Sequence, residues 1–152
     1  MKTRYGLEVR AATNADAQGL CNLLGVSGRE VGLLTLAERL EAVRQQPGAV
    51  LLAADWGPPI GLVSLHWYRT LHADQPIARI DTLVVEPEAR RRGIGRMLLK
   101  AAAQAARTAG CDTLELLGAR QEASLRSFCL ATGFTETGRC FSRPLRKKSA
   151  RI

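Results

Sequence analysis

The chain has 152 residues, 46% hydrophobic and 24% charged, with a formal net charge of +8. This is the size and balance of one ordinary globular domain, which excludes a fibrous or disordered chain and leaves too little length for two well-buried cores. No apolar run approaches the ~20 residues that span a bilayer, and Met1-Lys2-Thr3-Arg4-Tyr5-Gly6 lacks the apolar core of a secretory signal, so a cytoplasmic location is expected.

In chain order, Leu7 to Ala11 alternates like a first strand. Thr13-Asn14-Ala15-Asp16 fits a capping box that opens a helix through Leu23-Leu24. Gly25, Ser27, Gly28 and Gly32 predict a loose connection. Thr35-Leu36-Ala37-Glu38 reads as a second capping box, with its helix ending before Pro47-Gly48. Ala49–Asp55 and Ile60–Tyr68 flank the turn signal Trp56-Gly57-Pro58-Pro59 and predict an antiparallel hairpin. Ala78 to Glu86 is a further strand, stopped by Pro87. From Arg92 to Thr108, apolar Ile94, Met97, Leu98, Ala101, Ala105 and Ala109 recur at helical spacing, and Gly110 is the stop. Thr113–Leu117 reads as a strand, Glu122–Ala131 as a helix ended by Gly133, and 134–140 and 141–145 as two short final strands. The expected architecture is one α/β domain over residues 1–152, a mixed central sheet flanked by helices. It contains a right-handed parallel crossover over 78–117 and ends in a basic, flexible tail over 143–152.

Cys21, Cys111, Cys129 and Cys140 form no C-x-x-C pair, so neither a structural zinc nor a secreted disulfide framework is expected. The positive charge admits nucleic acid, an anionic ligand or a merely solvated surface. Zinc-finger spacing and the aromatic signature of an RNA-recognition module are both missing. Neither nucleic acid nor a membrane is an expected partner.

The most informative stretch runs from Leu83 to Arg96: strand, glycine-containing turn, helix start. Free N–H groups at a helix N-terminus suit an anion, and Gly93 and Gly95 permit close approach to the backbone. Arg90, Arg91 and Arg92, with Arg96 in the first turn, crowd cations where the helix dipole disfavours them by ~0.3–1 kcal/mol each. A multiply charged anion would reverse that cost. The dinucleotide fingerprint fails because its third position is Leu98, and there is no Gly-Lys-[Ser/Thr] of a phosphate-binding loop. The residues alone specify a phosphate-bearing ligand and go no further.

Arg90-x-x-Gly93-x-Gly95, directly after Leu83-x-Val85-x-Pro87, resembles the acetyl-CoA motif Arg/Gln-x-x-Gly-x-Gly/Ala of the GNAT superfamily of N-acetyltransferases. Phe128-x-x-x-x-Gly133-Phe134 is similar to that family's Phe-Tyr-x-x-x-Gly-Phe. The likeness covers residues 60–145 well and the first 50 only by element order. A narrower similarity, through Gly61 to His66, Leu71-His72 and Ile80 to Val85, links the chain to the aminoalkylphosphonate N-acetyltransferase branch without naming a substrate.

The resemblance implies acetyl-CoA as cosubstrate, with its pyrophosphate held by Arg90, Arg91, Arg92, Gly93, Ile94, Gly95 and Arg96. Its pantetheine and acetyl carbonyl would lie along Leu83, Val84 and Val85, with Ser124 and Phe128 completing the set. It further implies direct attack by an amine in a ternary complex, on a small-molecule acceptor; a homodimer is compatible with the reading. The alternatives are a protein lysine or N-terminal acetyltransferase and, in a different class, a non-catalytic CoA-binding regulatory domain. Asp81 is the first candidate base, acting through water, unless it is a surface carboxylate paired with Arg79 or Arg69. His66 is the second candidate, and Glu86 reads as solvated. Cys129 stands where the family has Tyr as general acid. It is therefore either a substitute acid or a core thiol, and in the latter case water or Tyr68 would serve.

Overall fold

The computed structural model describes residues 6–90, 92–117, 123–138 and 140–146. Five strands lie in chain order across one mixed sheet: β1 (Leu7–Ala11), β2 (Gly48–Asp55), β3 (Pro59–Tyr68), β4 (Ile77–Val85) and β5 (Thr113–Leu116). The first three pairings are antiparallel and β4–β5 is parallel. Among the described residues four α-helices, α1 (Ala17–Val26), α2 (Leu33–Arg44), α3 (Ile94–Thr108) and α4 (Ala123–Ala131), and two single 3-10 turns, Asn14–Asp16 and Pro87–Ala89, accompany the sheet. The expected α/β class, the β2–β3 hairpin and the parallel β4–α3–β5 unit are all present.

Each face of the sheet buries its own cluster. Under α3, Ile94, Leu98 and Ala102 pack on Val63, Leu65, Ala78 and Ile80. On the opposite face, Leu20, Leu23 and Leu24 of α1 and Leu40 of α2 cover Leu52, Leu62 and Val84. Alternation along β2 and β3 supplies both faces, as expected of a sheet covered on two sides.

Several local expectations are corrected. Gly25 is helical, and the chain turns at Gly28, whose φ of +83° stops α1. The second helix begins at Leu33 with Gly32 as its N-cap; the Leu36 N–H closes the first turn on Gly32 O at 2.9 Å, which places Thr35 inside the helix. Helix α3 starts at Ile94 because Gly93 is its left-handed N-cap. The buried stripe of α3 is Ile94, Leu98, Leu99, Ala102 and Ala106. Ala101, Ala105 and Ala109 lie at its margin, because an alanine-rich helix offers two adjacent stripes and the packing of Leu99 selects one.

The two final strands do not form among the described residues 134–138 and 140–146. Phe134 packs on the core and donates its N–H to Cys129 O at 3.0 Å. Gly138 then turns left-handed (φ +62°), and Phe141 and Leu145 are about 90% exposed, so no packing holds an extended run. Residues 147–152 of the basic tail lie outside the described residues.

Candidate active site

The register of β4 positions the site. Ser64 pairs with Thr82 but Leu65 pairs with Ile80, so Asp81 is the extra residue of a β-bulge. The bulge resets the alternation: Ala78 and Ile80 face α3, Asp81 interrupts, and Leu83 and Val85 then return to the α3 side, while Val84 enters the cluster under α1 and α2. Strand β5 accompanies β4 only over Ile77–Ile80. Among the described residues no strand flanks Asp81–Val85 on that side.

Backbone parity shows what this open edge presents. The Glu86 N–H donates to Ile60 O at 2.8 Å. Ile60–Glu86 and, two residues on, Leu62–Val84 are therefore the hydrogen-bonded pairs of the antiparallel ladder, and Gly61–Val85 and Val63–Leu83 the non-bonded ones. The N–H and C=O groups of Leu83 and Val85 point away from β3 into the gap. Val84, of the three residues expected there, turns its backbone to β3 and its side chain to the opposite core.

The gap opens onto a cavity of about 350 Å³ between β4, the start of α3 and α4, lined by Leu83, Val85, Ala89, Arg90, Gly93, Ile94, Gly95, Arg96, Ser124, Leu125 and Phe128. Gly93 has φ +76°, a conformation L side chains rarely adopt, and the space beside it is open. Gly95 is favoured for a different reason: a Cβ there would stand 3.3 Å from Phe128 Cζ, so that ring would have to give by a few tenths of an ångström. The first intrahelical bond runs from Met97 N–H to Gly93 O at 3.0 Å. The N–H groups of Ile94, Gly95 and Arg96 thus have no partner four residues back and remain available to an anion. With Arg90 and Arg96 on the wall, this end is strongly positive.

The arginine run divides. Arg92 turns to Asp55 at the end of β2, Nη2 to Oδ2 at 2.6 Å, and does not line the cavity; Arg91 lies outside the described residues. A multiply charged phosphate ligand with an extended arm fits the free amides, the two arginines and the open β4 edge together. A wider groove of about 620 Å³ between β1 and α3 is lined mainly by Val9, Trp67 and alanines. Its one charged residue, Arg10, is engaged by Asp16, so no chemistry converges there.

On the α1/α2 side of the sheet, just before the open edge, polar side chains from three strands meet. His66 Nδ1 lies 3.4 Å from Asp81 Oδ2, and Thr82 Oγ1 donates to Asp81 Oδ1 at 2.9 Å. Asp81 thus contacts neither Arg79 nor Arg69; Arg79 instead donates to Glu115 Oε1 at 3.3 Å. His66 and Asp81 are each about half exposed to solvent. Thr82 and Glu115 carried no sequence signal: Thr82 matters only because of the bulge, and Glu115 only because β5 pairs in this register.

Cys129 is buried and absent from the cavity wall. Desolvation pushes its thiol above the ordinary cysteine value, which keeps it neutral. Tyr68 is turned toward Glu115, with its hydroxyl 3.4 Å from Oε1. Glu86 is half-buried at the end of β4. Among the described residues no group of acidic, His or Cys side chains could hold a metal, and no helix is long and apolar enough to cross a membrane.

Residues 17–134 match the model of the Acetyltransferase (GNAT) family. The chain is 36% identical over 115 residues to an aminoglycoside N(6')-acetyltransferase type 1 of Klebsiella aerogenes, covering 72% of this chain and 76% of the relative. It is 34% identical over 143 residues to an aminoalkylphosphonate N-acetyltransferase of Salmonella typhimurium, covering 91% of each. The fold is shared with the aminoglycoside N-acetyltransferase AAC(6')-Iy, solved in complex with CoA, at a TM-score of 0.80 and 19% identity over 91% of this chain and 95% of that one.

Proposed function

The chain belongs to the GNAT acetyltransferase family, and we propose that it transfers the acetyl group of acetyl-CoA to a primary amine of a small molecule by direct attack in a ternary complex. The observation that carries this reading is the continuity of the cavity at the start of α3 with the unpaired edge of β4. The small-molecule acceptor is supported by the relatives, whose names specify aminoglycosides and aminoalkylphosphonates.

Acetyl-CoA supplies the activated acyl thioester. Arg90, Arg96 and the N–H groups of Ile94, Gly95 and Arg96 hold its phosphates, and Ser124 and Phe128 close the cavity from α4. The Leu83 and Val85 amides line its arm and offer hydrogen bonds to the acyl carbonyl, where preorganised donors act most strongly on developing negative charge. Holding both reactants in one geometry provides much of the acceleration.

The acceptor must lose a proton to become nucleophilic. His66 and Asp81 together take it, a reading supported by their contact beside the open edge of β4. With a proton on Nδ1 directed to Asp81, Nε2 of His66 is the free acceptor, a tautomer assigned from the hydrogen bond. Thr82 fixes the other carboxylate oxygen. Cys129 takes no part, since it is buried in the packing and absent from the cavity wall.

The test is a CoA-release assay over polyamines, aminoglycosides, amino acids, aminophosphonates and peptides, beside calorimetric titration of acetyl-CoA. Turnover on a small amine is the expected result. Acetylation of peptides alone would overturn the small-molecule reading. Binding without turnover would overturn the catalytic one, and no binding would overturn both.

A further inference from the structure

The polar side chains beside the open edge do not end at His66 and Asp81. Registration across three strands sets His66 and Tyr68 of β3, Arg79 of β4 and Glu115 of β5 on one face, with His66 opposite Arg79 and Arg79 opposite Glu115. The contacts form a continuous row. The His66 and Tyr68 rings stack at 5.8 Å between centroids and 27° between planes. The Arg79 guanidinium lies over the Tyr68 ring at 5.5 Å. Glu115 Oε1 accepts from both ends of that pair, from the Tyr68 hydroxyl at 3.4 Å and from Arg79 Nη2 at 3.3 Å. The buried Nε of Arg79 has no hydrogen-bond partner among the described residues, so the guanidinium is oriented by Glu115 and the Tyr68 face.

We propose that Glu115, acting through Tyr68 and Arg79, is a positioning residue for the His66–Asp81 pair. This rests on the reading of His66 as proton acceptor given above. Two of the three chemical features of His66 are fixed by neighbours: its plane by the Tyr68 ring, and the direction of Nδ1 by Asp81. The Tyr68 ring can hold the imidazole plane only if it is itself held, and Glu115 holds it at the hydroxyl while Arg79 covers its face. Nε2 is then presented in one orientation. The hydrogen bond made by one ring nitrogen fixes which nitrogen carries the proton, and a held ring plane keeps Nδ1 aimed at Asp81; misplacing a reacting group by about 1 Å can cost about 10²-fold in rate.

The chain has two histidines, so the imidazole nitrogens can be read separately by NMR of protein labelled with ¹⁵N-histidine. His72 is exposed on the β3–β4 connection and serves as reference in the same spectrum. In the unmodified chain His66 should show a Nδ1–H tautomer bias that His72 lacks. Glu115→Ala should weaken that bias, because Asp81 alone then directs an imidazole whose plane is no longer held, and lower kcat by up to about 10²-fold while leaving the KM for acetyl-CoA unchanged. Glu115→Gln, whose amide oxygen can still accept from both Tyr68 and Arg79, should keep both properties near normal. A His66 signal in folded Glu115→Ala identical to that of the unmodified chain would overturn the proposal. If that variant does not fold, Tyr68→Phe keeps the stacked ring and deletes only the hydroxyl; it should weaken the bias, and an unchanged signal there would count equally against it. The NMR readout needs no acceptor. Turnover by His66→Gln tests the proton-acceptor reading separately: full activity would remove His66 from the reaction while leaving the tautomer result intact.

Discussion

Asp16 and Asp81 are both carboxylates set against a basic side chain of a neighbouring segment, and they are built to opposite ends. Asp16 is buried. It takes a bidentate contact from Arg10 at 2.8 and 2.7 Å and a third hydrogen bond from the Thr13 N–H at 2.8 Å, closing one half of the capping box ahead of α1. Those contacts, the Arg10 hydrogen bond foremost, hold its carboxyl below the ordinary range. Asp81 is half exposed on a bulge, with one hydroxyl at 2.9 Å and one imidazole nitrogen at 3.4 Å. A saturated, buried carboxylate locks a fold. An incompletely satisfied one at a cleft retains acceptor capacity for chemistry.

The largest effect that would break this contrast is at Asp81. Asp81→Asn should lower turnover ~10²–10⁴-fold, with acetyl-CoA affinity and melting temperature little changed. Full activity in that variant would place Asp81 with Asp16 as a structural group.

Asp16→Asn should give the mirror image: near-normal kcat with a loss of ~1.5–3 kcal/mol, the scale of hydrogen bonds to a charged group, moderated by the partial exposure of Arg10. The pH dependence has a fixed sign. Because the folded value of Asp16 is depressed, its stabilisation is complete above the ordinary carboxylate value near 3.8 and is lost as pH falls through the folded value. Chemical denaturation from neutral to acid pH should show this component in the unmodified chain and not in Asp16→Asn.

A third test contrasts two glycines in the left-handed region, Gly93 at the cavity (φ +76°) and Gly110 beyond the end of α3 (φ +89°), each with open space around it. A side chain at either should cost ~1–2 kcal/mol in strain. Only Gly93→Val should also weaken acetyl-CoA binding, by ~10-fold or more if the same strain misplaces the phosphate-facing amides. Equal affinities for Gly93→Val and Gly110→Ala by calorimetry would detach the turn from the ligand.

The smallest effect on activity is expected at Cys129, which is close to the site in sequence yet enclosed by packing. Cys129→Ala should keep turnover within about twofold, for less than ~1 kcal/mol of transition-state stabilisation, and lower the melting temperature modestly. The raised thiol value adds a second signature. Its stabilisation is complete below the ordinary cysteine value of 9.0 and is lost as pH rises through the folded value, so Cys129→Ala should soften alkaline unfolding. A large loss of kcat in this well-folded variant would restore the thiol as an acid.

Much of this molecule is determined locally. The strand-turn-helix from Leu83 to Arg96, the Trp56–Pro59 hairpin turn, the capping signal at Thr13–Asp16 and the stops at Gly110 and Gly133 are legible because each is set by residues within a few positions of one another. Periodicity fixed element type from Leu7 to Ala131 but misread 134–145 as strands, where exposed Phe141 and Leu145 find no packing, and along α3 a run of alanines left the buried face undecided. The tertiary structure decided the rest: the bulge that makes Asp81 an extra residue, the reversal that sends Val84 to one core and Leu83 and Val85 to the other, the capture of Arg92 by Asp55, and the row linking His66 to Glu115. Each of these depends on which strand lies alongside and in what register. Pairing energy is spread over many cross-strand contacts between residues far apart in the chain, so no short stretch of sequence encodes it.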